Sequence, residues 1–81
     1  MYKNRALDGR RNICGQKVAA LRKAKVPKLS QRGLADLLQL DGLDIDKNAV
    51  QRIESGQRFV TDIELKVLAC VLDVTTEYLL E

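Results

Sequence analysis

Residues 30–56 read SQRGLADLLQLDGLDIDKNAVQRIESG. That stretch encodes two short amphipathic helices joined by a glycine-containing turn. Ser30 opens the first as an N-cap, with its hydroxyl placed to accept from a nearby backbone N–H. Leu34, Leu37 and Leu38 recur at helical spacing and supply a buried face, and Ala35 beside them is small enough for a second helix to cross. Gly33 is a weak helix former, costing about 1 kcal/mol relative to alanine. The helix is expected to end near Leu40, with Asp41-Gly42 making the turn. Asp46 is the best cap for the second helix, Lys47 to about Ser55, and Asp44 is the competing one. Val50 and Ile53 face inward there, with Ala49 alongside. Lys47, Asn48, Gln51, Arg52 and Ser55 fall on one outward stripe, and Gly56 is placed to stop the helix in a left-handed conformation. A short helix whose outer face is all hydrogen-bonding side chains suits a nucleic-acid groove. On spacing alone, a solvated face explains the stripe equally well.

Toward the N-terminus, residues 1–11, MYKNRALDGRR, show no sustained period and read as an arm. Asn12 can cap a helix from Ile13 to near Lys25, with Cys14, Val18 and Leu21 inward and Lys17, Lys23 and Lys25 largely outside that stripe. Pro27 makes Val26 a poor helical residue and ends it. Toward the C-terminus, Thr61-Asp62-Ile63-Glu64 is a capping box. The helix it opens, about Asp62 to Leu72, carries Leu65, Leu68, Ala69 and Leu72 on one face. Ile63, Val67, Cys70 and Val71 cover much of the rest, so this helix is either central or at a subunit interface, and core is the favoured reading. Thr75 caps a last short helix, with Tyr78, Leu79 and Leu80 docking back. Five helices and no strand pattern make an all-α domain: a basic arm over 1–11 and one folded unit over 12–81.

A chain of 81 residues allows one domain with a small core. Its three aromatics, Tyr2, Phe59 and Tyr78, leave that core to aliphatic side chains. The net charge of +3 hides an asymmetry: residues 1–28 hold nine Lys/Arg against Asp8 alone, while residues 29–81 hold five against ten acids. A concentrated basic end points to a polyanion partner, with a solubilising arm as the bland alternative. Cys14 and Cys70 are too few and too far apart for a disulfide scaffold or a zinc site, and both read as small core residues in a reducing compartment. The spacing of Asp41, Asp44 and Asp46 does not fit a calcium loop, whereas turn formation and capping explain these acids. There is no histidine, no phosphate-binding glycine loop and no Cys–His pair, so nothing supports an enzyme, a metal or a cofactor. Without a membrane span or signal-peptide pattern, the expected location is the cytoplasm, on the nucleoid.

In order and spacing the chain resembles the helix-turn-helix domains of the phage-repressor and Cro type, the XRE-like family. The resemblance covers residues 13–80. It rests on Leu21-Arg22, Ser30-Gln31, Leu34-Ala35 and Val50-x-x-Ile53-Glu54-x-Gly56. The tail matches too, from Leu65-x-x-Leu68-Ala69-x-x-Leu72 through Val74 to Tyr78-Leu79-Leu80. It implies a five-helix, lambda-repressor-like DNA-binding domain whose third helix is the recognition helix. By family position Lys47, Asn48 and Arg52 reach base edges, with Gln51 bordering them. Arginine and lysine can donate to guanine and asparagine can pair with adenine. Gln31 is implied to contact phosphate at a helix N-terminus, and so is Arg58. Arg22 and Glu54 occupy positions that form a buried ion pair in phage repressors.

Three features depart from the family pattern. The turn between helices 2 and 3 is about five residues longer than the usual ~3–4, and Gln39 stands where the family usually has glycine. The link from Lys25 to Leu29 is longer as well. Arg32-Gly33 replace a common acidic pair, which makes Arg32 available for phosphate. Lys3, Arg5, Arg10 and Arg11 are candidates to track phosphate or enter a minor groove. The implied function is a sequence-specific, double-stranded-DNA-binding transcriptional regulator, a repressor by family habit. It would bind an inverted repeat as a homodimer, at least on DNA. The alternative is a protein-interaction module, an antitoxin or adaptor, favoured by the acidic balance of residues 29–81.

Overall fold

The computed structural model describes residues 9–81. Its order is α1 (Gly15–Lys23), α2 (Gln31–Leu40), α3 (Lys47–Ser55), α4 (Asp62–Leu72) and α5 (Thr76–Leu80). No strand occurs among the described residues. The expectation of an all-α, five-helix domain therefore holds. The arm positions Lys3 and Arg5 lie outside the described residues.

Four of the five helix starts follow local chemistry. Ser30 Oγ accepts from Gly33 N–H, Asp46 from Ala49 N–H, and Thr75 from Tyr78 N–H. At Thr61 the box is complete, because the Glu64 carboxylate also accepts from the Thr61 N–H. Each cap satisfies an N–H that the first helical turn cannot. The first helix is the exception. It begins at Gly15, two positions after the expected Ile13, and its N-cap Cys14 makes no side-chain cap bond. Asn12 Oδ1 does accept from Gly15 N–H at 2.8 Å. Its Nδ2, however, donates to the carbonyls of Ile53 and Arg58, and this long-range pull holds residues 12–14 outside the helix. The helix stops at Lys23, ahead of Val26-Pro27.

The core draws one or more fully buried aliphatic side chains from every helix: Val18, Leu34 and Leu38, Val50 and Ile53, Leu68, and Leu79. Each is worth about 1.5–3 kcal/mol of apolar burial. α3 packs against both α1 and α2, and α4 packs against α1, α2 and α5. Several expected core residues lie outside it. Leu37 is 39% exposed, one position or about 100° around the helix from the buried Leu38. Cys70 is exposed while Cys14 is buried, because Cys70 sits about 200° from Leu68 on α4. On the short α5 only Leu79 is seated, and Tyr78 and Leu80 are exposed. Burial pushes the Cys14 thiol pKa up.

The long turn, residues 41–46, is anchored to the fold. Gly42 takes φ +88°, a conformation glycine adopts without steric cost, and Leu43 N–H then closes back on Leu38 O at 3.0 Å. Gln39 Nε2 donates to Ile45 O at 2.9 Å, and the Ile45 side chain is buried. The residue standing in place of the family glycine thus secures the extension that replaces the tight turn.

Candidate nucleic-acid interface

α3 carries the candidate interface. Its N-terminus is set by Asp46 and its C-terminus by Gly56 at φ +80°. Between these ends the helix divides lengthwise. Ala49, Val50 and Ile53 are buried, while Lys47, Asn48, Gln51 and Arg52 are exposed. Among the described residues, none of those four exposed side chains makes a hydrogen bond or ion pair. Ser55 Oγ, farther along, donates to Arg52 O. The start of the stripe adjoins α2 through a shallow cleft lined by Arg32, Asp36, Gln39, Asp46 and Lys47. Arg32 is exposed at the head of α2, where the first backbone N–H groups have no intrahelical partner.

Behind the stripe, the Glu54 carboxylate gathers three helices. Arg22 Nε donates to Oε2 at 2.7 Å and Nη2 to Oε1 at 2.9 Å. Gln31 Nε2 adds a third bond to Oε1 at 2.9 Å, and Arg22 Nη1 donates to Leu29 O. The Arg22 and Glu54 side chains retain only 11% and 8% of their exposure. Hydrogen bonding to Glu54 raises the Arg22 pKa against the opposing effect of burial. The Gln31 amide, expected at a phosphate, is therefore tied to α3, although its place at the first position of α2 leaves its backbone N–H at the helix entrance.

The other arginines named from the sequence divide into two groups. Arg58 forms a bidentate pair with Glu64, at 2.9 and 2.8 Å. That pairing holds the Glu64 carboxyl below its ordinary range and raises the Arg58 pKa. Arg10 Nη2 donates to the Glu54 backbone carbonyl at 2.8 Å. Both guanidinium groups are thus engaged within the protein. Arg11 is exposed. Its backbone N–H donates to Gly56 O at 2.8 Å, and its guanidinium lies 5.6 Å from the Phe59 ring centroid, a cation–π distance.

Sequence reading gave Asn12 only a local cap role. It also joins the start of α1 to the exit of α3, through partners 41 and 46 positions away. For Lys17 the pattern predicts only a position largely outside the inward stripe of α1. Lys17 donates to the carbonyls of Tyr78 and Glu81 at 2.7 and 3.0 Å and sits 4.9 Å from the Tyr78 ring centroid. No local pattern announces either contact. Among the described residues no group of His, Cys, Asp or Glu could hold a metal ion, and no helix is long and apolar enough to cross a membrane.

Comparison with known proteins agrees with this fold. The family model HTH_3, Helix-turn-helix, matches residues 18–79. Among solved structures, the chain is similar to the restriction-modification controller protein C.AhdI from Aeromonas hydrophila. Identity is 36%, coverage is 82% of this chain and 86% of that one, and the TM-score is 0.65. No curated protein matches the chain. With a family match over most of its length and a regulator as structural neighbour, the chain belongs to the XRE-type helix-turn-helix family of DNA-binding transcriptional regulators.

Proposed function

We propose that the protein is a sequence-specific regulator that places α3 in the major groove of double-stranded DNA and acts chiefly as a repressor. The observation that carries this reading is the outer face of α3. Lys47, Asn48, Gln51 and Arg52 stand exposed and without partners among the described residues, on a helix whose inner face is locked to α1 and α2. Their donors and acceptors match those of base edges in the major groove. Arg32, Arg11 and the N-terminal end of α2 at Gln31 are the proposed phosphate contacts. Arg10 and Arg58 contribute through the protein contacts they already make.

One such domain reads few bases, so tight specificity calls for two copies on an inverted repeat, with half-sites about one helical turn apart. The controller role named for C.AhdI supports a regulator over an interaction module. It also places restriction–modification promoters first among those to try.

Selection from random duplex DNA tests the reading directly, and a palindromic motif is the expected outcome. Affinity for that motif should fall steeply with salt, with a slope set by the number of phosphates contacted. Arg32→Ala, which removes an exposed side chain at the head of α2, should weaken all sites about equally and lower the salt slope by about 0.9. A chain that enriches no motif and shows no salt-dependent DNA affinity is an interaction module instead.

A further inference from the structure

Residues 10–12 converge on one place, the carbonyl end of α3. Arg10 Nη2 donates to Glu54 O at 2.8 Å and Arg11 N–H to Gly56 O at 2.8 Å. Asn12 Nδ2 spans Ile53 O at 3.0 Å and Arg58 O at 2.8 Å. Ile53 O and Arg52 O also accept from the Gly56 and Gln57 N–H groups. The helix exit, where carbonyls ordinarily lack partners and partial negative charge accumulates, is thus closed by a segment from the other end of the chain, with a guanidinium at its centre.

The fit leaves no space. A Cβ on Gly15 would overlap the Ile53 carbonyl oxygen and stand 2.7 Å from Arg10 Nη2. A Cβ on Gly56 would lie 2.7 Å from Arg10 Cζ. Two glycines therefore flank the contact, and the Arg10 side chain passes between them.

The opposite end of α3 is held differently, by the Asp46 cap and by the turn that Gln39 secures. The angle at which α3 presents Arg52 and Gln51 depends on both ends. Of the two, the exit is the one tied to α1, through the Asn12 bond to Gly15.

We infer that Arg10, with Asn12, is a positioning residue of the DNA interface: it clamps the exit of α3 so that the outer stripe meets base edges in a single orientation. This rests on the reading of α3 as the recognition helix. It assigns Arg10 a role distinct from phosphate contact, and the two roles leave different signatures. Loss of a phosphate contact lowers the salt slope by about 0.9 per contact and weakens all DNA alike. Loss of a clamp leaves the slope unchanged and reduces the ratio of specific to non-specific affinity, because only base contacts need the exact orientation.

The test uses the full chain and Arg10→Met, which keeps an unbranched stem beside Gly56 and removes every side-chain donor. Affinities for the selected motif and for a scrambled duplex are measured across a salt series, at a temperature where circular dichroism shows both proteins folded. The expected result is a specificity ratio lowered on the order of tenfold, as for loss of one charge-assisted hydrogen bond, with an unchanged salt slope. A slope reduced by about one unit with the ratio intact makes Arg10 a phosphate ligand and overturns the proposal. A lowered melting temperature with the ratio intact makes it a stability residue only, which also overturns it. If Arg10→Met does not fold, Arg10→Lys takes its place, keeping the charge but not the planar fork. A several-fold lower ratio is expected there, and an unaltered ratio overturns the clamp. Wild-type protein without any site preference overturns the DNA reading itself, and the clamp with it.

Discussion

Two residues apart on α3, Glu54 and Arg52 are treated in opposite ways. The Glu54 carboxylate takes three hydrogen bonds from two other segments and is almost wholly covered. The Arg52 guanidinium is exposed and, among the described residues, unpartnered. The same contrast runs along the helix, with Ala49, Val50 and Ile53 packed on one side and Lys47, Asn48 and Gln51 open on the other. The inner face spends its polar capacity on holding the fold. The outer face keeps its own for a partner. The physical reason is the cost of leaving a buried polar group unpaired, a cost that an exposed group waiting for its partner does not incur.

The sharpest way to break this contrast is to remove one side of the inner ion pair. Arg22→Met leaves the Glu54 carboxylate covered and short of its two strongest donors. Urea unfolding should show a loss of about 3–5 kcal/mol. Adding Glu54→Leu should recover much of it, since two apolar groups together strand no charge. On the outer face Arg52→Ala should reverse the pattern. Discrimination between operator and mutated site falls by about 1–3 kcal/mol, while stability changes by less than about 0.5 kcal/mol. A mobility-shift competition and a melting curve on the same sample read both. If site preference survives, α3 does not read bases through Arg52.

Asp46→Ala probes the N-cap of the helix that carries both faces. Losing this cap should cost about 1 kcal/mol of stability and weaken binding only as far as the first turn, with Lys47 and Asn48, frays. Hydrogen exchange at Ala49 and Val50 locates the effect.

The smallest effect concerns pH and belongs to the Arg58–Glu64 pair. Glu64 has its folded pKa lowered, chiefly by the hydrogen bonds from Arg58, from an ordinary 4.5. Its stabilising contribution is therefore fully present above about pH 4.5 and is lost as pH falls through the lower folded value. Melting temperatures of wild type and Glu64→Gln should differ by a constant amount at neutral pH and converge in acid. Convergence on the alkaline side would contradict the assignment.

Much of the local structure is legible in the chain itself. Ser30, Asp46, Thr61 and Thr75 cap helices because their side-chain oxygens reach an N–H three residues on, a relation contained in a few consecutive residues. Gly42 and Gly56 take positive φ values, +88° and +80°, at turns their neighbours prescribe. Periodicity identifies the buried faces but is coarse at their margins. Leu37, Tyr78 and Leu80 carry apolar side chains at boundary angles and Cys70 lies on the far side of α4 from Leu68, and only the arrival of neighbouring helices decides that they remain exposed. The outward stripe of α3 is legible as a pattern in the sequence itself.

Sequence alone therefore determined the five helices, the class of fold and which side of α3 is polar, because each follows from hydrogen bonds and side-chain periods spanning one to four residues. Family position implies the Arg22–Glu54 pair, which the structure contains, and periodicity turns Arg52 outward, but tertiary structure alone decided what Arg10 and Arg58 are used for. Arg22, Arg58, Arg10 and Arg52 are alike as residue types, yet one ties helices, one holds a capping carboxylate, one closes a helix exit and one stands free of partners among the described residues. Asn12 belongs with them, since its partners lie 41 and 46 positions away. A side chain's partner at such a distance is set by how the helices pack, and no local pattern carries that information.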